Sequence, residues 1–211
     1  MLIKGILFDF DGTLTKPGAL DFPHIKKVLG CRPDQSILEY IDSLSLKDRE
    51  RAYRLLAEFE ATGARNSKPR EGAEKVLRLL QKRGFCLGII TRNSRESVLI
   101  SLRNFNGIDA TDFKVILGRE AGAPKPHPDG VYIAAHLMRI EPSELLMVGD
   151  FRFDIQAGHA AGARTVLITD DGLSSLSPGE PRPDHTIKKL SELIKIVENY
   201  NPQKDACLKV S

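Results

Sequence analysis

The chain has 211 residues, 41% hydrophobic and 28% charged, enough for one ordinary α/β domain with a modest insertion and too apolar for a disordered segment. Its 31 basic and 28 acidic residues leave a net charge of +3, with neither sign in a long block, so a nucleic-acid partner is not expected. No stretch approaches the ~18 apolar residues of a membrane span, which argues against a membrane partner as well.

In chain order, residues 3–8 form a short apolar run that ends in acids, and no secretory leader is expected ahead of it. Residues 16–69 then break the pattern, being far longer than the roughly 2–6 residues of an ordinary strand–helix loop. They carry helical periodicity at 22–29, 34–44 and 46–62. Asp34 and Ser45 are the expected N-caps, and Gly30 and Gly63 the expected stops. Residues 65–69 would be the return hinge of this small all-helical insertion. Beyond it, apolar runs at 85–90, 113–117, 145–148 and 165–168 alternate with helical segments at 72–83, 94–104, 129–139 and 154–161. A sixth strand at 185–187 and a helix at 190–199 close the pattern, and residues 201–211 read as a loose tail.

Buried strands alternating with helices predict right-handed βαβ units and a Rossmann-like, doubly wound parallel sheet. The expected division is a core of residues 1–15 and 70–200, a helical cap of 16–69, and a tail of 201–211. Cys31, Cys86 and Cys207 are odd in number and far apart, so neither a disulfide framework nor a zinc site is expected, and a reducing cytoplasm fits. Cys86 reads as a buried core thiol.

Polar residues collect where the predicted strands end. The first runs into Asp9 and Asp11, the second into Thr91, and the fourth into Asp150 with Asp154 beyond it; Lys125 follows the third by a short loop. Open α/β sheets bind ligands at the carboxyl ends of their strands, near the point where strand order reverses. Four carboxylates converging there would repel at about 4 kcal/mol per close pair at an effective dielectric of ~20. Lys125 alone would not neutralise them, and an all-oxygen donor set favours Mg²⁺. A Mg²⁺ beside an ammonium and a threonine hydroxyl makes a phosphoryl site. In the Asp-x-Asp pair, one carboxylate can attack phosphorus while the other handles the leaving group's proton. Gly12 permits the tight turn that brings main-chain N–H groups toward phosphoryl oxygens.

The heptapeptide Asp9-Phe10-Asp11-Gly12-Thr13-Leu14-Thr15 resembles the first motif of the haloacid dehalogenase superfamily hydrolases. Thr91 after Leu87-Gly88-Ile89-Ile90 is similar to the second, Lys125-Pro126 to the third, and Gly149-Asp150 with Asp154 to the fourth. The subgroup it most resembles is that of phosphoglycolate phosphatase-like hydrolases with a helical cap. The resemblance implies Asp9 as nucleophile and Asp11 as general acid/base. It implies Mg²⁺ on the Asp9 and Asp150 carboxylates and the Asp11 carbonyl, and a phosphoryl group on Thr91 and Lys125. Asp154 would position Lys125 or a metal-bound water. Two residues depart from the pattern: Phe151 stands where a small or polar residue is common, and Arg92 where Asn or Gly is common. Phe151 is expected to alter packing near the metal, and Arg92 to add a phosphate or substrate contact.

Taken singly, each of these residues reads as a cap, a turn or a solvated side chain; their order on alternating strand ends carries the functional reading. Arg49, Arg51 and Arg54 read as a solvated helix face, and Tyr53, Leu56 and Phe59 as the insertion's own core. The expected function is phosphomonoester hydrolysis of a small phosphorylated metabolite by a monomer or weak homodimer. A phosphomutase and a receiver-like regulatory module are the alternatives. A halide-releasing hydrolase would need neither the second aspartate nor the metal carboxylates.

Overall fold

A computed structural model of the protein describes residues 2–169 and 179–202. Six strands form one parallel sheet in the order β3-β2-β1-β4-β5-β6: β1 (Gly5–Phe8), β2 (Cys86–Ile90), β3 (Val115–Leu117), β4 (Leu145–Gly149), β5 (Arg164–Ile168) and β6 (His185–Ile187). The chain builds outward from β1 to β3, then returns across β1 to start β4. Strand order therefore reverses on either side of β1.

The central strands are covered on both faces. Along β1, Ile6 and Phe8 face one apolar layer and Leu7 the other; Leu146 and Val148 oppose Leu145 and Met147 in the same way along β4. The first layer is closed by α4 (Ala73–Lys82), α5 (Arg95–Leu102) and α8 (Leu193–Tyr200). The second is closed by α6 (Asp129–Met138) and α7 (Arg152–Ala161). In α4, Ala73, Val76, Leu77 and Leu80 recur at helical spacing and are all buried, which fixes the face it turns to the sheet.

Residues between β1 and α4 form α1 (Phe22–Leu29), α2 (Ile37–Asp42) and α3 (Leu46–Asn66) around a separate, smaller apolar cluster of Ile25, Ile37, Leu38, Ile41, Ala52 and Leu56. Tyr53 and Phe59 pack on its edge. Ser45 caps α3 by accepting from the Asp48 N–H, and Gly30 ends α1 in the left-handed region, both as expected.

Two boundaries differ from the expectation. Ser36, not Asp34, stands at the N-cap of α2. Gly63 does not stop α3, which runs on to Asn66. A Cβ at Gly63 would lie 2.7 Å from Leu20 Cδ2 and 2.8 Å from the Ala19 carbonyl. This glycine serves close packing inside the helix, not its termination.

The insertion leaves and rejoins the core through adjacent segments. Thr15 and Pro69 form an antiparallel bridge, and the Lys16 N–H donates to the Lys68 carbonyl at 2.8 Å. At the end of α3, the Asn104 side-chain amide donates to the Ala64 and Ser67 carbonyls, and the Ser67 and Ser101 hydroxyls share a hydrogen bond.

Two further expectations are corrected. Cys86 is half-buried, because it opens β2 at the rim of the sheet. Asn201 is not loose: its side chain accepts from the Ile3 N–H and donates to the Ile3 carbonyl, tying the end of α8 to the start of β1. The rest of the expected tail, with Cys207, lies outside the described residues. No helix among the described residues is long and apolar enough to cross a membrane.

Candidate active site

The three central strands deliver the polar residues to one place. The Asp9 N–H donates to the Val148 carbonyl at 2.8 Å, extending the β1–β4 pairing by one residue and aiming Asp9 at the Gly149–Asp150 turn. The Thr91 N–H does the same toward the Leu117 carbonyl at 3.0 Å at the end of β2. Oxygens of Asp9, Asp150 and Asp154 all lie within 4.8 Å of one another.

Lys125 enters this cluster with its side chain 3% exposed. Its ammonium donates to Asp9 Oδ1 at 2.6 Å, Asp154 Oδ1 at 2.6 Å and the Ile90 carbonyl at 2.8 Å. All three donors are used, as a buried charge requires. Asp154 also accepts from the Phe151 N–H at 3.1 Å, so it is fixed from two sides. Two glycines make room for these carboxylates. A Cβ at Gly149 would lie 2.1 Å from Asp154 Cγ, and one at Gly12, where φ is +86°, would lie 2.2 Å from Asp150 Oδ2.

Electrostatics follow from this crowding. Burial, offset in part by Lys125 and reinforced by the charges of Asp154 and Asp150, raises Asp9 to about 7. Burial and the Asp9 charge raise Asp11 to about 7, although the Asn93 hydrogen bond pulls it down. Asp150 rises to about 6, through burial and the Asp154 charge. Burial would lower Lys125, but Asp154 and Asp9 together hold it above the ordinary lysine value. Three carboxylates against one ammonium leave two negative charges among hard oxygen donors. That set fits a divalent cation of the Mg²⁺ type.

Of the residues singled out from sequence, Asp9, Lys125, Asp150 and Asp154 meet directly. Thr91 is buried at the end of β2, its Oγ1 accepting from the Asn93 N–H at 3.1 Å and keeping its own O–H to donate. Asp11 Oδ2 accepts from the Asn93 side-chain amide at 2.7 Å.

Arg92 goes elsewhere. Its guanidinium donates to the Lys125 carbonyl, to Ser36 Oγ at 2.8 Å and to Glu39 Oε1 at 3.3 Å, and it lies 4.9 Å from the Phe153 ring centroid. It joins core to insertion, and the bond that it makes to a residue of the cluster goes to the Lys125 backbone carbonyl. Phe151 is 42% exposed and packs edge-on against Phe153, and its backbone N–H is the group that reaches Asp154. On α3, Arg49 donates to the Asp42 carbonyl at 2.6 Å, while Arg51 and Arg54 are exposed.

Four further residues escaped sequence reasoning. Thr13 Oγ1 donates to Asp150 Oδ1 at 3.4 Å, and Arg70 donates to the Gly12 carbonyl. Asn93 holds Asp11, and Glu60 of α3 is buried against the loop that carries Asn93. Asn93 lies two residues beyond the flagged Thr91 and could have been found from that spacing. A lone glutamate on a polar helix gives no such signal.

Residues 6–168 match the family model described as haloacid dehalogenase-like hydrolase. The chain is 33% identical to an uncharacterized hydrolase of Saccharomyces cerevisiae, over 95% of this chain and 94% of that one. It is 29% identical to pyrophosphatase PpaX of Bacillus pumilus, over 92% and 96% of the two chains. The fold superposes with a TM-score of 0.70 on the crystal structure of a predicted phosphoglycolate phosphatase from Haemophilus somnus, at 24% identity, covering 92% of this chain and 97% of that one.

Proposed function

The chain belongs to the haloacid dehalogenase-like hydrolase family, and on that premise we propose that it is a Mg²⁺-dependent phosphatase that hydrolyses the phosphomonoester of a small metabolite through an aspartyl-phosphate on Asp9. One observation carries this reading: the buried cluster of Asp9, Asp150, Asp154 and Lys125 at the point where strand order reverses around β1. Asp9 and Asp150, with the Asp11 carbonyl, would hold the cation. When bound, Mg²⁺ supplies positive charge that keeps Asp9 ionised and neutralises phosphoryl oxygens.

The protein's own groups then divide the work. Asp9 Oδ attacks phosphorus while the ester P–O bond breaks, and Asp11, raised to about 7 by burial and the Asp9 charge and so able to carry a proton near neutral pH, gives that proton to the leaving oxygen. Asp11 then takes a proton from the water that hydrolyses the acyl phosphate. The Thr91 hydroxyl and the Lys125 ammonium orient and neutralise the phosphoryl oxygens, and Asp154 keeps Lys125 in place. Gly12 contributes the turn, and Arg92 ties the insertion to the core beside the site.

The test is steady turnover across phosphorylated metabolites with Mg²⁺ present, ranked by kcat/KM, with inorganic pyrophosphate included because relatives carry the name pyrophosphatase. Turnover abolished by EDTA and restored by Mg²⁺ is the expected result. A single stoichiometric burst would favour a receiver-like module, and a preference for pyrophosphate over every monoester would replace the substrate class.

A further inference from the structure

A second polar cluster lies where the insertion touches the core. Glu60, two-thirds of the way along α3, is 2% exposed. One of its carboxylate oxygens pairs with the Arg119 guanidinium, and the other accepts from the Ser94 N–H at 3.1 Å. Arg119 is itself held 5.5 Å from the Tyr53 ring centroid, again on α3. Asn93 lies next to both anchors, directly ahead of Ser94 and bonded to the Arg119 backbone. Its carbonyl accepts from the Arg119 N–H at 2.9 Å, its N–H donates to Thr91 Oγ1 at 3.1 Å, and its side-chain amide donates to Asp11 Oδ2 at 2.7 Å.

A carboxylate that served only to dock a helix would need no particular partner, and apolar side chains of similar volume dock helices as well or better. The two oxygens of Glu60 instead bind the loop that carries Asn93, at Ser94, and the loop bonded to the Asn93 carbonyl, at Arg119. We propose that Glu60 is a positioning residue: from the insertion it holds the loop at 91–94 so that Asn93 presents its amide to Asp11 and sets the direction of that carboxyl. This rests on the reading of Asp11 as the acid that protonates the leaving oxygen.

The consequence is specific to one part of the reaction. As the Asp9 Oδ–P bond forms and the ester P–O bond breaks, an alkoxide leaving group must take the Asp11 proton together with the electron pair. A p-nitrophenolate departs without one. Misplacing Asp11 therefore slows alkyl phosphates selectively, whereas general loosening of the fold slows both.

The experiment compares kcat/KM for p-nitrophenyl phosphate with that for the alkyl phosphate the parent enzyme turns over fastest, at saturating Mg²⁺. The variants are Glu60→Gln, Asn93→Ala, their combination and Asp11→Asn. Asp11→Asn should lose roughly a hundredfold more on the alkyl ester than on the aryl ester. Glu60→Gln and Asn93→Ala should lose roughly tenfold on the alkyl ester and less than about threefold on the aryl ester. The double variant should fall no lower than Asn93→Ala alone, because Glu60 acts through that side chain.

Equal losses on both esters, or losses that multiply in the double variant, overturn the inference. If Asp11→Asn discriminates between the esters and the other two do not, the inference falls and the phosphatase reading stands. If Asp11→Asn does not discriminate either, the inference falls together with the reading of Asp11 as the acid, while turnover of both esters by the parent still marks a phosphatase. Should Glu60→Gln fail to fold, Glu60→Asp takes its place; it keeps the charge, draws the carboxylate back by one methylene, and should show the same selective loss.

Discussion

The carboxylate cluster at the strand ends and the seam between insertion and core are both polar and partly buried, yet they are held in different ways. In the cluster, Asp9, Lys125 and Asp154 are fixed by buried charge-assisted bonds at 2.6 Å; Asp9 follows β1 directly, Asp154 lies in the first turn of α7 after β4, and Lys125 is on the loop ahead of α6. Along the seam, single bridges from Ser36, Glu39 and Glu60 reach across to the loops at 91–94 and 118–119. Behind that seam lies a core of only six buried side chains. The cluster has the rigidity that charge stabilisation needs, because its geometry comes from the sheet. The seam has fewer constraints, so substitutions there should change selectivity and local stability before they change the chemistry.

The most severe test of this contrast is Asp9→Asn. It should lower kcat by roughly 10³-fold or more, since an amide cannot form the acyl phosphate, while a Mg²⁺-induced rise in Tm survives in part through Asp150. A near-parent kcat would remove Asp9 from the nucleophile's role and dissolve the contrast.

Next in size is the coupling between metal and pH. Asp9 and Asp150 are raised from 3.8 to about 7 and about 6, so both carry protons below those values, and Mg²⁺ must displace them. Apparent Mg²⁺ affinity should fall by about a hundredfold between pH 8 and pH 5.5, read from the Mg²⁺-dependent Tm increment. In EDTA the sign reverses. The folded state then holds these protons more tightly than the unfolded chain does. Their contribution to stability is fully present below about pH 4 and is lost as pH rises through 6 and 7. Increments of equal size at both pH values would mean that the cation binds elsewhere.

The smallest effect belongs to the seam. Arg92→Ala removes an ion pair to the half-exposed Glu39, the bonds to Ser36 and to the Lys125 carbonyl, and the contact with the Phe153 ring, and should cost about 1–2 kcal/mol in stability. Its kcat/KM for p-nitrophenyl phosphate should stay within about threefold of the parent value. Arg51→Ala and Arg54→Ala should stay within about 0.5 kcal/mol in thermal melts. A hundredfold loss with Arg92→Ala would return that side chain to the phosphoryl site and erase the division between the two regions.

The sheet and its strand-end acids were legible because their signal is local. An apolar run of four or five residues followed by Asp, Thr or Gly marks both a buried strand and its carboxyl end. Parallel pairing then brings Asp9, Thr91 and Asp150 together whatever lies between them. The helical insertion was legible from its length and its caps at Ser45 and Gly30. What Gly63 and Arg92 do was not. Gly63 resembles a helix stop until Leu20 is seen packed against it, and Arg92 resembles a phosphate ligand until Ser36 and Glu39 are seen beside it. Glu60 and Asn93 belong with them. The partners of these residues lie up to 82 positions away and depend on how the insertion and the loops meet at the core, a quantity with no periodicity in the chain. The sequence by itself determined which side chains stand at the ends of the strands. Tertiary packing alone decided which side chains hold them there, because a long-range polar contact is specified by two surfaces meeting and by neither surface alone.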